Sequence, residues 1–600
     1  MCGIIGYIGN ENAIERLKNG LQTLEYRGYD SAGIAFFEND GIKTIKKAGT
    51  VENLFLNVPN NVFSNIGIGH TRWATHGKAT DENSHPHSSQ FEKVFVVHNG
   101  IIENYAEIKQ TQLGGTKFKS ETDTEVVANL IEKNLIMHGN KLKAIYETTK
   151  VLKGSFALAI LFTDDKQNIY FAKRFSPLVV GESENGNFLS SDVLGFIKYT
   201  KRYVEIEDDC FGKISEFTVE IYDKNCKTLV PKTCLLDEST QDVSKQGYPF
   251  YMIKEINEVP KIIVDTAESY KHQKILESIP QNFFENIKRI LLVACGTSFH
   301  ASMVGEKLFK AIGFDATAEI ASEFIYAKQK IEKDTLCIFV SQSGETADTL
   351  KAIEIAKKFG AKTIGITNVP TSTITKRCDH ILPIKCGAEI AVASTKAYNG
   401  QLCALFVLAK FLKNGNAINS TISNLKKVAK SIDIKHFENE IKPLVKAVTS
   451  AKSVFMLGRD YDYVTAMESA LKLKEISYIS CQAYASGELK HGTIALIDEN
   501  SLVFAFVTQK QIASKTINVI KQVQSRGAKI CIVSQLEDVL NDETVDYKIK
   551  LPNVDENYMP LVSIVPMQLL AYHVSTTLGN NPDKPRSLAK SVTVEWKMSS

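Results

Sequence analysis

Ser341-Gln342-Ser343-Gly344-Glu345-Thr346 follows the unbroken apolar run Leu336-Cys337-Ile338-Phe339-Val340. A run of that kind suits a buried parallel strand. Behind the polar stretch, Leu350, Ile353, Ala356 and Phe359 recur at helical spacing, and Gly360 stands where a helix ends. A second short strand is expected at Thr363-Ile364-Gly365-Ile366-Thr367. The hydroxyl-rich loop therefore joins the carboxyl end of a strand to the amino end of a helix. Unpaired N–H groups and positive potential gather there, which suits a phosphate. The bland alternative is a connecting loop in which Ser343 or Thr346 only caps the helix.

Working outward, the pattern occurs twice. Arg289-Ile290-Leu291-Leu292-Val293-Ala294-Cys295-Gly296 opens the first copy and Ser453-Val454-Phe455-Met456-Leu457-Gly458-Arg459 the second. Each copy carries a Gly-Ala-Lys turn into a later strand, Gly360-Ala361-Lys362 and Gly527-Ala528-Lys529. Strands alternating with helices at this spacing predict two doubly wound α/β lobes. Where the first copy has Ser341–Thr346, the second has Thr508-Gln509-Lys510-Gln511-Ile512-Ala513, with neither the glycine nor the clustered hydroxyls. One phosphate site per chain is expected, in the first lobe. Thr297 and Ser298 add hydroxyls at a second strand end, and Val392-Ala393-Ser394-Thr395-Lys396 starts a further helix that Ser394 could simply cap.

With 600 residues, a typical domain size of ~150 implies about four domains. Hydrophobic and charged contents of 44% and 23% are those of an ordinary globular chain. The net charge of +3, without a basic run, gives no reason to invoke nucleic acid or a charged membrane surface. Eleven scattered cysteines without a CxxC pair argue against a zinc site or a disulfide framework. No apolar run approaches the ~20 residues of a membrane span, and the start lacks a signal peptide's basic region. A reducing cytoplasm is the expected location.

Cys2 follows the initiator directly. With Met1 removed, its α-amine could serve as the base for its own thiol; the alternative is a small packing residue. Further along come Leu24-Glu25-Tyr26-Arg27-Gly28-Tyr29-Asp30-Ser31-Ala32-Gly33, His70-Thr71-Arg72-Trp73-Ala74-Thr75-His76-Gly77, Val94-Phe95-Val96-Val97-His98-Asn99-Gly100 and Ser120-Glu121-Thr122-Asp123-Thr124-Glu125. Arg72 can fork onto an α-carboxylate and Asp123 can hold an α-ammonium. Asn99 and the Gly100 N–H can donate to a developing oxyanion.

These stretches, in this order over about the first 125 residues, resemble the class II glutamine amidotransferases. The resemblance implies an N-terminal-nucleophile sandwich of two β-sheets between helices. It also implies attack of the Cys2 thiolate on the glutamine side-chain amide, release of ammonia, and hydrolysis of the resulting thioester. Asn99 and Gly100 would form the oxyanion hole, and Arg72, Trp73, Thr75, His76 and Asp123 would surround L-glutamine, with Trp73 gating the route of ammonia.

The repeated half resembles the sugar isomerase (SIS) domain, present twice. Glu468, Lys472 and Glu475 share one helix face, a spacing equally suited to a solvated ion pair worth only ~0.2–0.5 kcal/mol. The resemblance reverses that reading: Lys472-Leu473-Lys474-Glu475-Ile476-Ser477-Tyr478 is similar to the helix carrying the isomerase base, Glu475. In Gly487-Glu488-Leu489-Lys490-His491-Gly492, His491 would open the sugar ring. In Pro585-Arg586-Ser587-Leu588-Ala589-Lys590, Lys590 would form a Schiff base with the sugar carbonyl. Thr493 and Ser587 depart from the usual proline and asparagine, Phe250 stands where histidine is common, and Trp596–Ser600 runs past the usual ending.

The expected fold class is thus α/β and α+β multidomain: an αββα sandwich at 2–220, a linker at 221–284, doubly wound parallel-sheet SIS lobes at 285–424 and 446–590, and a tail at 591–600. The sugar phosphate would lie among Thr297, Ser298, Ser341, Gln342, Ser343, Thr346, Val392, Ser394 and Lys472. The two resemblances imply L-glutamine as donor, D-fructose 6-phosphate as acceptor and a homodimer, and they imply no metal, nicotinamide or pyridoxal cofactor. The rivals are a glutaminase serving another acceptor and a sugar-phosphate-binding regulator with a silent catalytic half. The SIS repeat and Lys590 count against the first, and retention of Cys2, Glu475 and Lys590 against the second.

Overall fold

The structure, a computed structural model, describes residues 2–39, 41–73, 77–236, 244–327, 331–415 and 418–592. The chain divides into two compact units, Met1–Val243 with Ala589–Ser600, and Ser244–Leu588.

In the N-terminal unit two antiparallel sheets of eight and seven strands face each other. Period-2 alternation assigns the layers. In the Gly3–Gly9 strand, Ile4 and Ile8 enter the core between the sheets, with Val97, Ala157, Ala159 and Leu161 opposite. Ile5 and Tyr7 point the other way, onto Leu17 and Leu21 of helix Ala13–Leu24. On the second sheet, Val96, Leu158 and Ile160 likewise pack outward against Val127, Leu130 and Ile131 of helix Thr124–His138. The result is the four-layer αββα sandwich. Strand pairing runs on through Thr233–Leu235, at the edge of the larger sheet.

The C-terminal unit holds two five-stranded sheets, parallel throughout. Their spatial orders are 315–320, 289–294, 335–340, 362–367, 380–383 and 481–485, 453–458, 501–506, 529–534, 547–550. Each lobe places its second strand outside its first, so the strand order reverses between the first and third strands. Ligands bind at the carboxyl ends of strands at such a reversal. In the first lobe that point lies between Ala294 and Val340, paired neighbours at the strand ends. Helix Met559–Thr577 is buried along nearly its whole length, which explains why it is apolar all round. Among the described residues, no helix is long and apolar enough to cross a membrane.

The glycine of the 341–346 loop is a steric requirement. Gly344 has φ +66°, and a Cβ there would lie 2.2 Å from Ser372 Oγ and 2.5 Å from Ile374 Cγ2. Gly344→Ala should therefore cost roughly 1–2 kcal/mol for the left-handed backbone and about 1–3 kcal/mol for overpacking. Calorimetry on the full chain should show the unfolding transition of the C-terminal unit moved down, with that of the N-terminal unit unchanged.

Candidate active sites

Strand register assembles the first site. Gly3 pairs with Thr71 and Ser31 with Arg72, so Cys2 lies beside the end of the 66–72 strand. The Trp73 N–H donates to Cys2 Sγ (3.2 Å). Burial pushes the Cys2 thiol up, opposed by that N–H and by the Arg72 guanidinium. The close approach depends on Gly28: a Cβ there would sit 2.7 Å from Arg72 C and Trp73 N. Asn99, on the 94–102 strand of the other sheet, donates from Nδ2 to the Cys2 carbonyl (2.9 Å), joining the two sheets at Cys2. Gly100 follows with φ +132°, a conformation other residues rarely adopt.

Arg72 is buried, its guanidinium donating to the Lys78 and Gly77 carbonyls (3.2 and 3.3 Å). Burial lowers its pKa, while the charges of Cys2, Asp123 and Asp30 act against the shift. Asp123 is also buried and accepts from the Ile102 N–H (2.8 Å). Cys2, Arg72, Asn99, Gly100 and Asp123 thus occupy one end of the sandwich. Thr75 and His76 lie outside the described residues.

The second site is built at the first lobe's switch point. Ser341 Oγ accepts from the Gly344 N–H and bonds the Thr346 hydroxyl (both 3.0 Å), while Ser343 Oγ accepts from the Glu345 N–H (3.2 Å). The Gln342 carbonyl accepts from the Asn368 N–H (3.1 Å). Glu345 turns away from the loop's centre and binds the Thr373 N–H and hydroxyl (2.7 and 2.8 Å). The loop is thereby pre-shaped by its own hydroxyls. In the second lobe the Thr508 N–H and hydroxyl both donate to the Asp462 carboxylate (2.9 and 2.5 Å). Asp462 stands where the repeat register of the first lobe has Ser298, so a carboxylate of the chain itself takes those donors.

From the second lobe, helix Tyr461–Ser477 presents Lys472, whose ammonium donates to Thr297 Oγ1 (3.0 Å) and Glu475 (2.6 Å) and lies 3.5 Å from Glu468. Glu468 also accepts from the Thr297 hydroxyl (3.0 Å) and contacts His300 Nδ1 (2.7 Å). Burial alone would lower the Lys472 pKa, but Glu475 and Glu468 outweigh it and the pKa is raised. The Lys472 side chain is 0% exposed and that of Glu475 22%, so Glu475 forms the open rim of the network. Ser298 Oγ accepts from Gln401 (2.9 Å). Ser394 donates to Glu389 (3.0 Å), whose other oxygen caps the next helix through the Thr395 and Ala397 N–H groups (3.0 Å each). The Val392 N–H donates to the Asp583 carbonyl (3.1 Å).

The structure therefore brings Thr297, Lys472 and Glu475 together. His491 is exposed, at the end of the turn Leu489–His491 whose Leu489 is buried, and Lys590 falls in the segment grouped with the N-terminal unit. Sequence reasoning missed Glu389, His300 and Gln401. Isolated polar residues in helical or loop stretches carry no spacing signal.

The SIS domain family matches residues 283–410 and again 447–578, and a glutamine amidotransferase domain family matches 70–197. A Clostridium acetobutylicum protein named glutamine–fructose-6-phosphate aminotransferase (isomerizing) is 42% identical over 612 residues, covering 99% of this chain and 100% of its own length. The chain belongs to the glutamine–fructose-6-phosphate aminotransferase (isomerizing) family. A member of that family from Fusobacterium nucleatum is 43% identical over 613 residues, with the same coverage. The solved C-terminal domain of glucosamine-fructose-6-phosphate aminotransferase from Francisella tularensis is 35% identical. It superposes with a TM-score of 0.54, covering 57% of this chain and all of that one. Both halves expected from the sequence are thus found in one aminotransferase chain.

Removing the buried ammonium should be costly. Lys472→Met leaves Glu468 and Glu475 without their cation and should destabilise the C-terminal unit by ~3–5 kcal/mol. Adding Glu468→Gln should recover part of that loss, as read from urea unfolding of the full chain.

Proposed function

We propose that this chain converts D-fructose 6-phosphate and L-glutamine to D-glucosamine 6-phosphate and L-glutamate. The observation that carries the reading is the presence of two built sites in one chain. One is a thiol at residue 2, held beside a buried arginine and an amide donor. The other is a hydroxyl-rich phosphate loop near a lysine-paired carboxylate.

In the first site Arg72 receives the glutamine α-carboxylate and Asp123 the α-ammonium, with Trp73, Thr75 and His76 completing the pocket. Cys2 Sγ attacks the side-chain amide carbon, and the oxyanion collects N–H groups from Asn99 and Gly100. Collapse of the adduct expels ammonia, and water then cleaves the thioester to glutamate. The Trp73 N–H at Cys2 Sγ and the positive φ of Gly100 support these roles.

In the second site Ser341, Gln342, Ser343 and Thr346 hold the phosphate, with Thr297, Ser298, Val392, Ser394 and Lys472 around the sugar. His491 opens the ring by donating and accepting a proton. Lys590 forms an imine with the C2 carbonyl, releasing water, and ammonia then replaces the lysine nitrogen, freeing the Lys590 amine. Glu475 takes the C1 proton and returns it to C2, moving the carbonyl to C1 without an outside oxidant. Its exposure at the rim of the Lys472 network supports that role. The ammonia released at Cys2 supplies the nitrogen. The chain acts as a homodimer, and a cytoplasmic location is supported by eleven cysteines that are all free thiols.

The reading is tested by supplying amide-¹⁵N glutamine with fructose 6-phosphate and identifying the product. Labelled glucosamine 6-phosphate is expected; a different aminated phosphosugar would displace the proposal. Cys2→Ala should abolish glutamine hydrolysis and labelled product while leaving fructose 6-phosphate isomerisation in place, because the two sites are built from separate residues.

A second test addresses the imine. Borohydride should trap radiolabelled fructose 6-phosphate on the wild-type chain but not on Lys590→Arg, which keeps the charge and cannot form the bond. Trapping on the arginine variant would move the imine to another lysine.

A further inference from the structure

We propose that His70 is the positioning residue of the oxyanion site: its Nε2–H holds the Asn99 carboxamide oxygen and so turns the amide N–H groups toward Cys2. This inference rests on the oxyanion role assigned to Asn99 above.

A carboxamide can sit in its slot in two orientations that differ by exchange of O and N, and only one presents N–H groups to the nucleophile. Two neighbouring groups remove that freedom. On one side, Asn99 Nδ2 lies 2.9 Å from the Cys2 carbonyl, which can only accept. On the other, Asn99 Oδ1 lies 3.0 Å from His70 Nε2. That ring nitrogen is also 2.9 Å from the His98 carbonyl, again only an acceptor, so Nε2 must carry the proton. With the tautomer set, a flipped Asn99 would oppose N–H to N–H at His70 and oxygen to oxygen at Cys2.

The imidazole is itself held as a fixed donor. It is fully buried and stacks on His85 with ring centroids 4.1 Å apart and planes 10° from parallel. His85 is fixed in turn, because its Nδ1 accepts the His98 N–H (3.2 Å). Burial drives the His70 pKa down to about 3, so the ring stays neutral and keeps a single N–H. The remaining nitrogen, Nδ1, is buried with no hydrogen-bond partner among the described residues, as expected where the one proton is committed to Nε2. The packing extends to Gly33, where a Cβ would lie 2.1 Å from the His85 carbonyl oxygen. Glycine in the Asp30-Ser31-Ala32-Gly33 stretch thus allows the histidine stack to form behind the catalytic amide.

The test uses full-length protein and two probes of the glutamine pocket. L-Glutamate γ-semialdehyde adds reversibly to Cys2 and places its new oxygen in the oxyanion hole, whereas L-glutamate fills the same pocket without that adduct. Asn99→Ala should weaken semialdehyde inhibition by roughly 100-fold, the usual effect of one lost oxyanion donor. His70→Leu should cause a loss of about 10- to 100-fold and lower kcat for glutamine hydrolysis in parallel. Glutamate affinity and the glutamine KM should move by less than about threefold. His70→Gln, which restores an N–H donor, should recover most of the loss.

If His70→Leu weakens both probes equally, or neither, the positioning role is overturned. If it does not fold, His70→Asn, whose amide stops short of Asn99, takes its place with the same expectations. An unchanged semialdehyde inhibition in Asn99→Ala would instead overturn the oxyanion assignment itself.

Discussion

An ammonium with no solvent exposure must be surrounded by acceptors, and around Lys472 those acceptors come from both lobes. Glu468 and Glu475 stand on its own helix, while Thr297 belongs to the first helix of the other lobe. Taking an ion of this size out of water costs several kcal/mol even after relaxation. The network is therefore tolerated only in a geometry where every member is bonded, and that geometry fixes how the two lobes meet. The same arrangement leaves one carboxylate, Glu475, at an open rim, held by a cation that cannot drift away. Docking of the repeat and presentation of its candidate base are thus one structural event.

The N-terminal unit meets the opposite problem with almost no charge at its centre. Its two sheets converge at Cys2 through a backbone carbonyl, a carboxamide and a neutral imidazole. Desolvation holds His70, His85 and His87 below the ordinary histidine range, so the cluster acts as a set of fixed dipoles rather than a buffer. Fixed dipoles need no reorganisation when charge develops, which is what an oxyanion site requires. The charged groups, Arg72 and Asp123, feel each other's charge, and Asp123 is tied to the Ile102 N–H.

Duplication explains the economy of the C-terminal half. Both copies keep the same strand order and therefore the same switch point, but only the first leaves it furnished with a glycine-centred, hydroxyl-lined loop. In the second, Asp462 satisfies the Thr508 donors from within. The second lobe instead supplies the helix carrying Lys472 and Glu475, so the copies complement each other.

Much of this was legible in the residues. The continuous apolar run before Ser341 defined a buried parallel strand, because a strand covered on both faces needs no polar side. The motif stretches around Cys2, Arg72, Asn99 and Asp123 pointed to their chemistry through their resemblance to the class II glutamine amidotransferases. Other features depended on contacts between distant segments. Glu468, Lys472 and Glu475 have the spacing of a surface ion pair. What buries Glu468 and Lys472 is the packing of Tyr461–Ser477 against Met559–Thr577 and against the first lobe, which no local period encodes. His70 was visible as an imidazole in a polar stretch, but its tautomer and its hold on Asn99 exist only because two carbonyls and a stacked ring converge on it from other strands. Local sequence sets which face of an element is apolar; which polar groups become each other's only partners is decided when the elements close and exclude water.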